Sequence, residues 1–239
     1  MEIIQLGSMY FNDEPFCIGS QCNGRNLSIG NTVKGKEISW VNVNGLLVAS
    51  HIICTNISWN NLNQQGFIFG KKVPIDGNLY VCRSLKVSSD EIIEPNEWDN
   101  ILDATCEEDS LWHWNKAFFW GQEISKRDEE YRANRGYYSA RNWGDYSASL
   151  RGASLGFRPA LEPLVHDSLI SDSLVGTAIK AYGCGGTISG TLSGFTDYDL
   201  FLSPITDSTQ ISSFPWCCQQ ENGTVIVDRS AVAISQGGI

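Results

Sequence analysis

The chain has 239 residues, 42 % of them apolar and 18 % charged, which excludes a disordered polypeptide and suits one large domain or two small ones. Its formal net charge is −10 and its pI is about 4.7, so long-range attraction to nucleic acid or anionic lipid is not the default and direct nucleic-acid binding is not expected. No apolar run reaches the length of about 18 residues that a membrane-spanning helix needs, and no membrane association is expected.

Glycine is abundant at 23 residues and proline sparse at 7, and glycine, asparagine and serine recur between short apolar runs. This pattern predicts an α+β fold with few short helices and many short strands. In the first 50 residues, Phe16-Cys17-Ile18, Ile38-Ser39-Trp40-Val41-Asn42-Val43 and Gly45-Leu46-Leu47-Val48-Ala49-Ser50 read as strands, continued by His51-Ile52-Ile53-Cys54. Asn23-Gly24 and Asn44-Gly45 read as hairpin turns. Ser58 is placed to cap a very short helix beginning at Trp59. Phe67-Ile68-Phe69-Gly70 and the run 73–82 predict a hairpin that turns at Asp76-Gly77-Asn78. Residues 96–102 form the best helix candidate, since Trp98, Ile101 and Leu102 share one face and Asn96 and Asp99 suit the first turns. The aromatic run Trp112, Trp114, Phe118, Phe119 and Trp120 is mostly core. Arg158-Pro159-Ala160-Leu161-Glu162-Pro163-Leu164 reads as a linker, and beyond it Gly183-Cys184-Gly185-Gly186 and Ser189-Gly190-Thr191 interrupt a β-rich tail.

There are eight cysteines, at 17, 22, 54, 82, 106, 184, 217 and 218. The start, Met1-Glu2-Ile3-Ile4-Gln5, lacks the basic region and apolar stretch of a leader, so the expectation is a cytoplasmic chain with reduced thiols. Two or three disulfides stay open if export uses another signal. The spacing Cys17-x4-Cys22 is no zinc ribbon, and the adjacent Cys217 and Cys218 are poorly placed to share one tetrahedral ion.

A resemblance rests on three stretches in order. Arg151-Gly152-Ala153-Ser154-Leu155-Gly156-Phe157-Arg158-Pro159-Ala160-Leu161 resembles the closing segment of the formylglycine-generating/sulfatase-modifying branch of the C-type-lectin-like fold. Glu94-Pro95-Asn96-Glu97-Trp98 resembles that branch's helix start, and Phe119-Trp120-Gly121 its Pro-Trp-Gly element. The resemblance implies a C-type-lectin-like core over 55–164, preceded by a β-rich segment (1–54) and followed by a β-rich segment or small domain (165–239). Arg135-Gly136-Tyr137-Tyr138-Ser139-Ala140-Arg141 through Glu162 is also similar to uncharacterised bacterial proteins, often from mobile elements, which implies the cytoplasm of a bacterial host. Within the terminal motif, Leu155 and Phe157, with Ser149-Leu150, point inward, Arg151 and Arg158 face polar surroundings, and Gly156 permits close backbone approach.

The formylglycine-generating enzymes use cysteines near the end of the domain, and here none lies between Cys106 and Cys184, so that oxidase chemistry does not carry over. Glu94-Pro95-Asn96 matches the calcium-binding triplet of mannose-type lectins, but the second motif is not downstream where it belongs. Only three histidines are present, His51, His113 and His166. His113, amid tryptophans, reads as a packed residue that a deep pocket with a nearby carboxylate would turn into a catalytic one. No serine lies in a Gly-x-Ser-x-Gly elbow, Gly183-x-Gly185-Gly186 lacks a phosphate-loop lysine, and the Asp197-x-Asp199 pair reads as solvated. No catalytic residue, metal ligand or cofactor is assigned.

What remains is a stretch of changed composition. Residues 126–158 carry seven basic against four acidic side chains in an otherwise acidic chain. Tyr131, Arg132, Arg135, Tyr137, Tyr138, Arg141, Asn142, Trp143, Tyr146 and Arg151 combine rigid rings with forked donors, the residue types that anchor protein interfaces. Part of the set would serve the core or internal ion pairs. The expectation is a non-catalytic protein-binding module, an inhibitor from a phage or mobile element whose partner is a basic, nucleic-acid-binding host protein. A glycan-binding protein is the alternative, favoured by an exposed Trp143 or Tyr146, and an enzyme stands third.

Overall fold

Two turns set the hairpins of the largest sheet. Asn44 (φ 52°) with Gly45 (φ 89°), and Asp76 (φ 50°) with Gly77 (φ 82°), supply the paired left-handed residues that a tight turn needs between right-twisting strands. The second turn closes one residue earlier than the sequence suggests, because Asn78 already pairs with Ile75. The structure is a computed structural model and describes residues 2–23, 25–91, 96–164, 170–183, 186–208 and 211–236.

In chain order the strands are β1 (Glu2–Phe11), β2 (Glu14–Pro15), β3 (Ser20–Gln21), β4 (Leu27–Gly30), β5 (Glu37–Val43), β6 (Leu46–Ala49) and β7 (Cys54–Thr55). Helix α1 (Trp59–Gln64) follows, then β8 (Lys71–Ile75), β9 (Asn78–Ser84), α2 (Glu97–Ala104) and α3 (Asp109–Trp112). Next come β10 (Phe118–Ile124), β11 (Tyr131–Gly136), β12 (Trp143–Ser147), β13 (Leu155–Phe157) and β14 (Pro159–Pro163). The chain continues with β15 (Ala178–Gly183), β16 (Gly186–Phe195), β17 (Asp199–Ser208), β18 (Cys217–Gln219), β19 (Val225–Asp228) and β20 (Ala233–Gln236). The fold is thus α+β, a minority of short helices among many short strands in several sheets. Among the described residues no helix is long and apolar enough to cross a membrane.

Both longer helices start where their caps predict. Ser58 accepts from the Asn61 amide ahead of α1, and Asn96 from the Asp99 amide ahead of α2. Trp98, Ile101 and Leu102 form the buried face of α2.

The first sheet runs β2-β1-β5-β6-β14-β9-β8, with β4 also on β1. The second runs β12-β11-β10-β13-β7-β3, with β12 and β3 as its edge strands. Strands from residues 2–55 and from 71–163 are hydrogen-bonded into these same two sheets and share their cores. The third sheet, β18-β19-β17-β16-β15-β20, is drawn from residues 178–236 and has its own core around Ile188, Leu200, Leu202 and Trp216.

Several sequence expectations are corrected. The stretch 158–164 is no linker: β14 lies in the middle of the first sheet between β6 and β9. Its bracketing prolines fall at the strand ends, where a missing donor is tolerated. Phe67-Ile68-Phe69-Gly70 is a turn rather than a strand, held by Phe67 N–H to the Leu62 carbonyl (2.9 Å) as the chain leaves α1. Phe16-Cys17-Ile18 and His51-Ile52-Ile53 are likewise irregular. Ser189-Gly190-Thr191 does not interrupt a strand but forms a register shift inside β16. Leu150 faces solvent, while Leu155 and Phe157 point inward as expected. At Gly156 a Cβ would collide with the Cys54 carbonyl, so the close approach of β13 to β7 requires glycine.

The third sheet meets the first at a buried carboxylate. Glu162 of β14 accepts from Arg83 Nε (2.6 Å) and Ser235 Oγ (2.8 Å) and from the Tyr182 hydroxyl, and Lys180 Nζ lies 3.5 Å away. Arg83 also holds Glu97 through two bonds, at 2.8 and 2.5 Å. Burial opposes ionisation, yet Arg83 holds Glu97 down to about 2 and keeps Glu162 below the usual carboxylate range. Val81, Leu164, Tyr182 and Ala233 pack beside this network. Removing one member of such a buried set leaves charge without compensation. Arg83→Leu is therefore expected to lower stability by about 3–5 kcal/mol, seen in urea titration as a lower midpoint at unchanged slope. Adding Glu162→Gln should recover part of the loss.

Candidate functional site

The structure divides the ten side chains that the sequence groups into one surface between interior and exterior. The alternation of β11 makes the division. Its residues 131, 133 and 135 point to one side, and 132, 134 and 136 to the other. Arg135 is buried, donating to Val87 O (3.0 Å), Arg141 O (2.5 Å) and Asp99 Oδ2 (3.0 Å). Trp143, opposite Arg135 across the β11–β12 ladder, is buried too, with its indole N–H on Ser88 O (3.1 Å) and the Arg127 guanidinium over its ring. These two belong to the frame and leave the proposed surface. Arg141 is committed to Glu107 (2.6 Å), Asp103 (2.5 Å) and Asp99 (3.4 Å). Asn142 donates to Gly136 O (2.9 Å).

Tyr131, Arg132, Tyr137, Tyr138, Tyr146 and Arg151 remain outward or partly outward. Tyr137 takes a left-handed backbone (φ 76°), held by its N–H on Trp114 O (2.9 Å) and Ala117 O (3.0 Å). That conformation lays its ring flat on Phe118, with centroids 4.7 Å apart and planes 14° apart. Tyr138 meets Tyr137 edge-on at 4.7 Å, and Tyr146 meets Phe118 edge-on at 5.6 Å. The result is a fixed ladder of four rings that ends in Tyr138, whose side is 75 % exposed. Burial, with the neighbouring Tyr138 and Tyr137, raises the pKa of the Tyr146 hydroxyl. Arg132 lies over the Trp59 ring (4.6 Å) and donates to Glu129 O and Tyr131 O. Arg151, exposed, reaches Asn61 Oδ1 at 3.1 Å.

The residues weighed for chemistry fall elsewhere. His113 (φ 46°) stacks on His51 with ring centroids 3.5 Å apart, and its Nδ1 faces the carbonyl oxygens of Leu111 (3.1 Å) and Ser50 (3.4 Å). Arg158 is close by. Contrary to the sequence expectation of polar surroundings, it is fully buried over the rings of Trp98, Trp112 and Phe119. It donates to Ala49 O (2.8 Å), Ser50 O (2.7 Å) and Trp112 O. Burial pushes its pKa down to about 9. Burial, then His113 and Arg158, push His51 down to about 4. Glu94, Pro95 and His166 lie outside the described residues, as does Cys184. Cys22 and Cys54 are both buried, and the hydrogen bond that the Cys54 thiol donates to Cys22 raises its pKa, as burial also does.

Sequence reasoning did not find Phe118 and Asn134 as members of the ring face, nor the His51–His113 contact. The alternation of β10 and β11, read together, carries the first signal. Compared with family models, curated proteins and solved structures, the chain gives no match.

Two pH dependences follow. Because His51 binds its proton less readily folded than unfolded, the stability tied to its neutral form is complete above about 6.5 and lost as pH falls toward 4. Between pH 6.5 and 5 the loss should be about 1 kcal/mol after allowance for solvent, and His51→Phe, which keeps a ring in the stack, should flatten the profile of melting temperature against pH. Glu123 behaves oppositely. Burial, with Glu97 nearby, raises its pKa to about 7 although it accepts from the Val87 amide (3.0 Å). Stability held by its protonated form is lost as pH rises through 4.5 to 7, so Glu123→Gln should melt higher than the native protein at pH 8 and little differently at pH 5.

Proposed function

We propose that this chain is a non-catalytic protein-binding module whose contact face is the tyrosine ladder on the β10–β11–β12 edge of the second sheet. The observation that carries the reading is Tyr138, exposed at the end of rings that neighbouring backbone holds in place. Such a ring offers large contact area with little conformational freedom to lose on binding, which is what an interface anchor needs. Arg132, Tyr146 and Arg151 complete the face, whereas Tyr131, also exposed, points to the opposite side of β11 with Ala133 and Arg135. Arg141 stands at its margin, neutralised by three carboxylates.

The frame is read as a C-type-lectin-like core of the formylglycine-generating/sulfatase-modifying type over residues 55–164. The order of the three resembling stretches supports this, as does the capped start of α2 at Asn96. The chain's charge of −10 favours a partner with a basic surface, such as a nucleic-acid-binding host protein blocked by a phage or mobile-element product in a bacterial cytoplasm. The glycan reading leaned on an exposed Trp143 or Tyr146; the Trp143 ring is turned inward and Tyr146 is partly exposed, and the protein partner is carried forward on the Tyr138 anchor.

Affinity capture from the source cell's lysate tests the reading. One stoichiometric partner should be retained by the native protein and weakened at least about tenfold by Tyr138→Ala, the loss of one anchor. Tyr198→Ala, at an equally open tyrosine on the β16–β17 turn, should leave capture unchanged. Retention by Tyr138→Ala, or equal loss with Tyr198→Ala, would remove this face from consideration.

A further inference from the structure

The tyrosine ladder covers an unsatisfied amide. Asn134, in the middle of β11, is fully buried, and among the described residues neither its Nδ2 nor its Oδ1 has a hydrogen-bond partner. Its position follows from register. Asn134 stands opposite Trp120 on β10 and Gly144 on β12, whereas Phe118 stands opposite Gly136 and Tyr146 opposite Arg132. The line from Phe118 to Tyr146 therefore crosses β11 at Asn134, and those two rings meet edge-on at 5.6 Å above it. A second orphan donor, Arg132 Nε, lies two residues along the same face.

Leaving a buried donor or acceptor unpaired forfeits the hydration that the group had in the unfolded chain. A leucine-sized apolar side chain would fill this place without that cost. The opposing strand is also shaped around the amide. Gly144 carries no side chain, and a Cβ there would sit 3.0 Å from Asn134 Oδ1, so the amide packs directly against the bare backbone of the edge strand. On the same face Tyr146 is partly exposed and Tyr137 is held in a left-handed conformation.

We propose that Asn134 is the polar floor of a binding site that Tyr146 covers, and that the group it takes is a carboxamide, the end of a glutamine or asparagine side chain on the bound partner. A carboxamide offers one acceptor and one donor side by side. Asn134 presents the complementary pair, and the surrounding rings suit the flat, weakly polar faces of an amide. Entry requires the Tyr146 ring to swing outward from the edge strand. The proposal rests on the reading that this face binds, and it adds the chemistry of the group that enters.

Propionamide, a glutamine side-chain mimic, is the probe, with butanone as the control that accepts but does not donate. In ¹⁵N-resolved NMR, propionamide should shift the Asn134 side-chain NH₂ and the Tyr146 ring signals saturably, with butanone at least about fivefold weaker. Asn134→Leu, which should melt higher than the native protein, and Gly144→Ala, whose methyl crowds the Asn134 amide, should both abolish the response. A response that is absent, that butanone equals, or that persists in Asn134→Leu overturns the proposal, as does a long-lived water on the Asn134 NH₂ that propionamide does not displace. In lysate capture, a partner lost with Tyr138→Ala but kept with Asn134→Leu would overturn the amide site and leave the binding face standing.

Discussion

A single buried cation holds the two principal sheets to one another. Arg158 sits where the chain passes from β13 of the second sheet to β14 of the first. Among the described residues no carboxylate bonds to it. Its charge is spread instead over three backbone carbonyls, from residues 49, 50 and 112, and over three aromatic faces. Guanidinium suits this role because it is planar and weakly hydrated, and a lysine ammonium could neither stack on the rings nor fork between the carbonyls. The arrangement ties the end of β6, the end of α3 and the Trp98 face of α2 to one atom group. It also adds, after burial and His113, to the depressed basicity of the stacked His51.

The buried charge at Glu162 is balanced by different means. Glu162 lies four residues further on, and Arg83, Lys180, Tyr182 and Ser235 converge on it from the first and third sheets. Between these two centres β14 is fixed on both flanks, and the second sheet inherits that rigidity through β13 and β10. The ring ladder is built on the far side of that frame. Its order comes from backbone hydrogen bonds at Tyr137 and from stacking on Phe118, so a partner would meet rings already in position.

Local signals made part of this legible. The Ser58 and Asn96 caps, the Asn44-Gly45 and Asp76-Gly77 turns and the inward Phe157 each depend on neighbours within a few residues, and a sequence displays those directly. The failures were non-local. Two prolines made 158–164 look like a linker because the pattern does not reveal that β6 and β9 arrive on both sides. Arg158 looked like a surface residue because its compensation comes from tryptophans 40 to 60 positions away. Within 131–151 the composition pointed to a face, but which side chains reach it is set by the pairing register of β11 and β12. That register turns Arg135 and Trp143 to the interior and leaves Tyr146 beside Arg132.

The ladder's free end has an evolutionary consequence. Tyr138 spends its ring on one edge contact, and Arg151 makes one side-chain bond to Asn61, so neither is tied to the buried centres described above. Such positions can change identity freely while the scaffold beneath stays constant. Gly156, Arg158 and Glu162 cannot, since each is fitted to atoms from distant parts of the chain. Closely related chains would then diverge fastest where they touch partners and remain nearly invariant a few residues away, a division of labour that lets one architecture be retargeted by few substitutions.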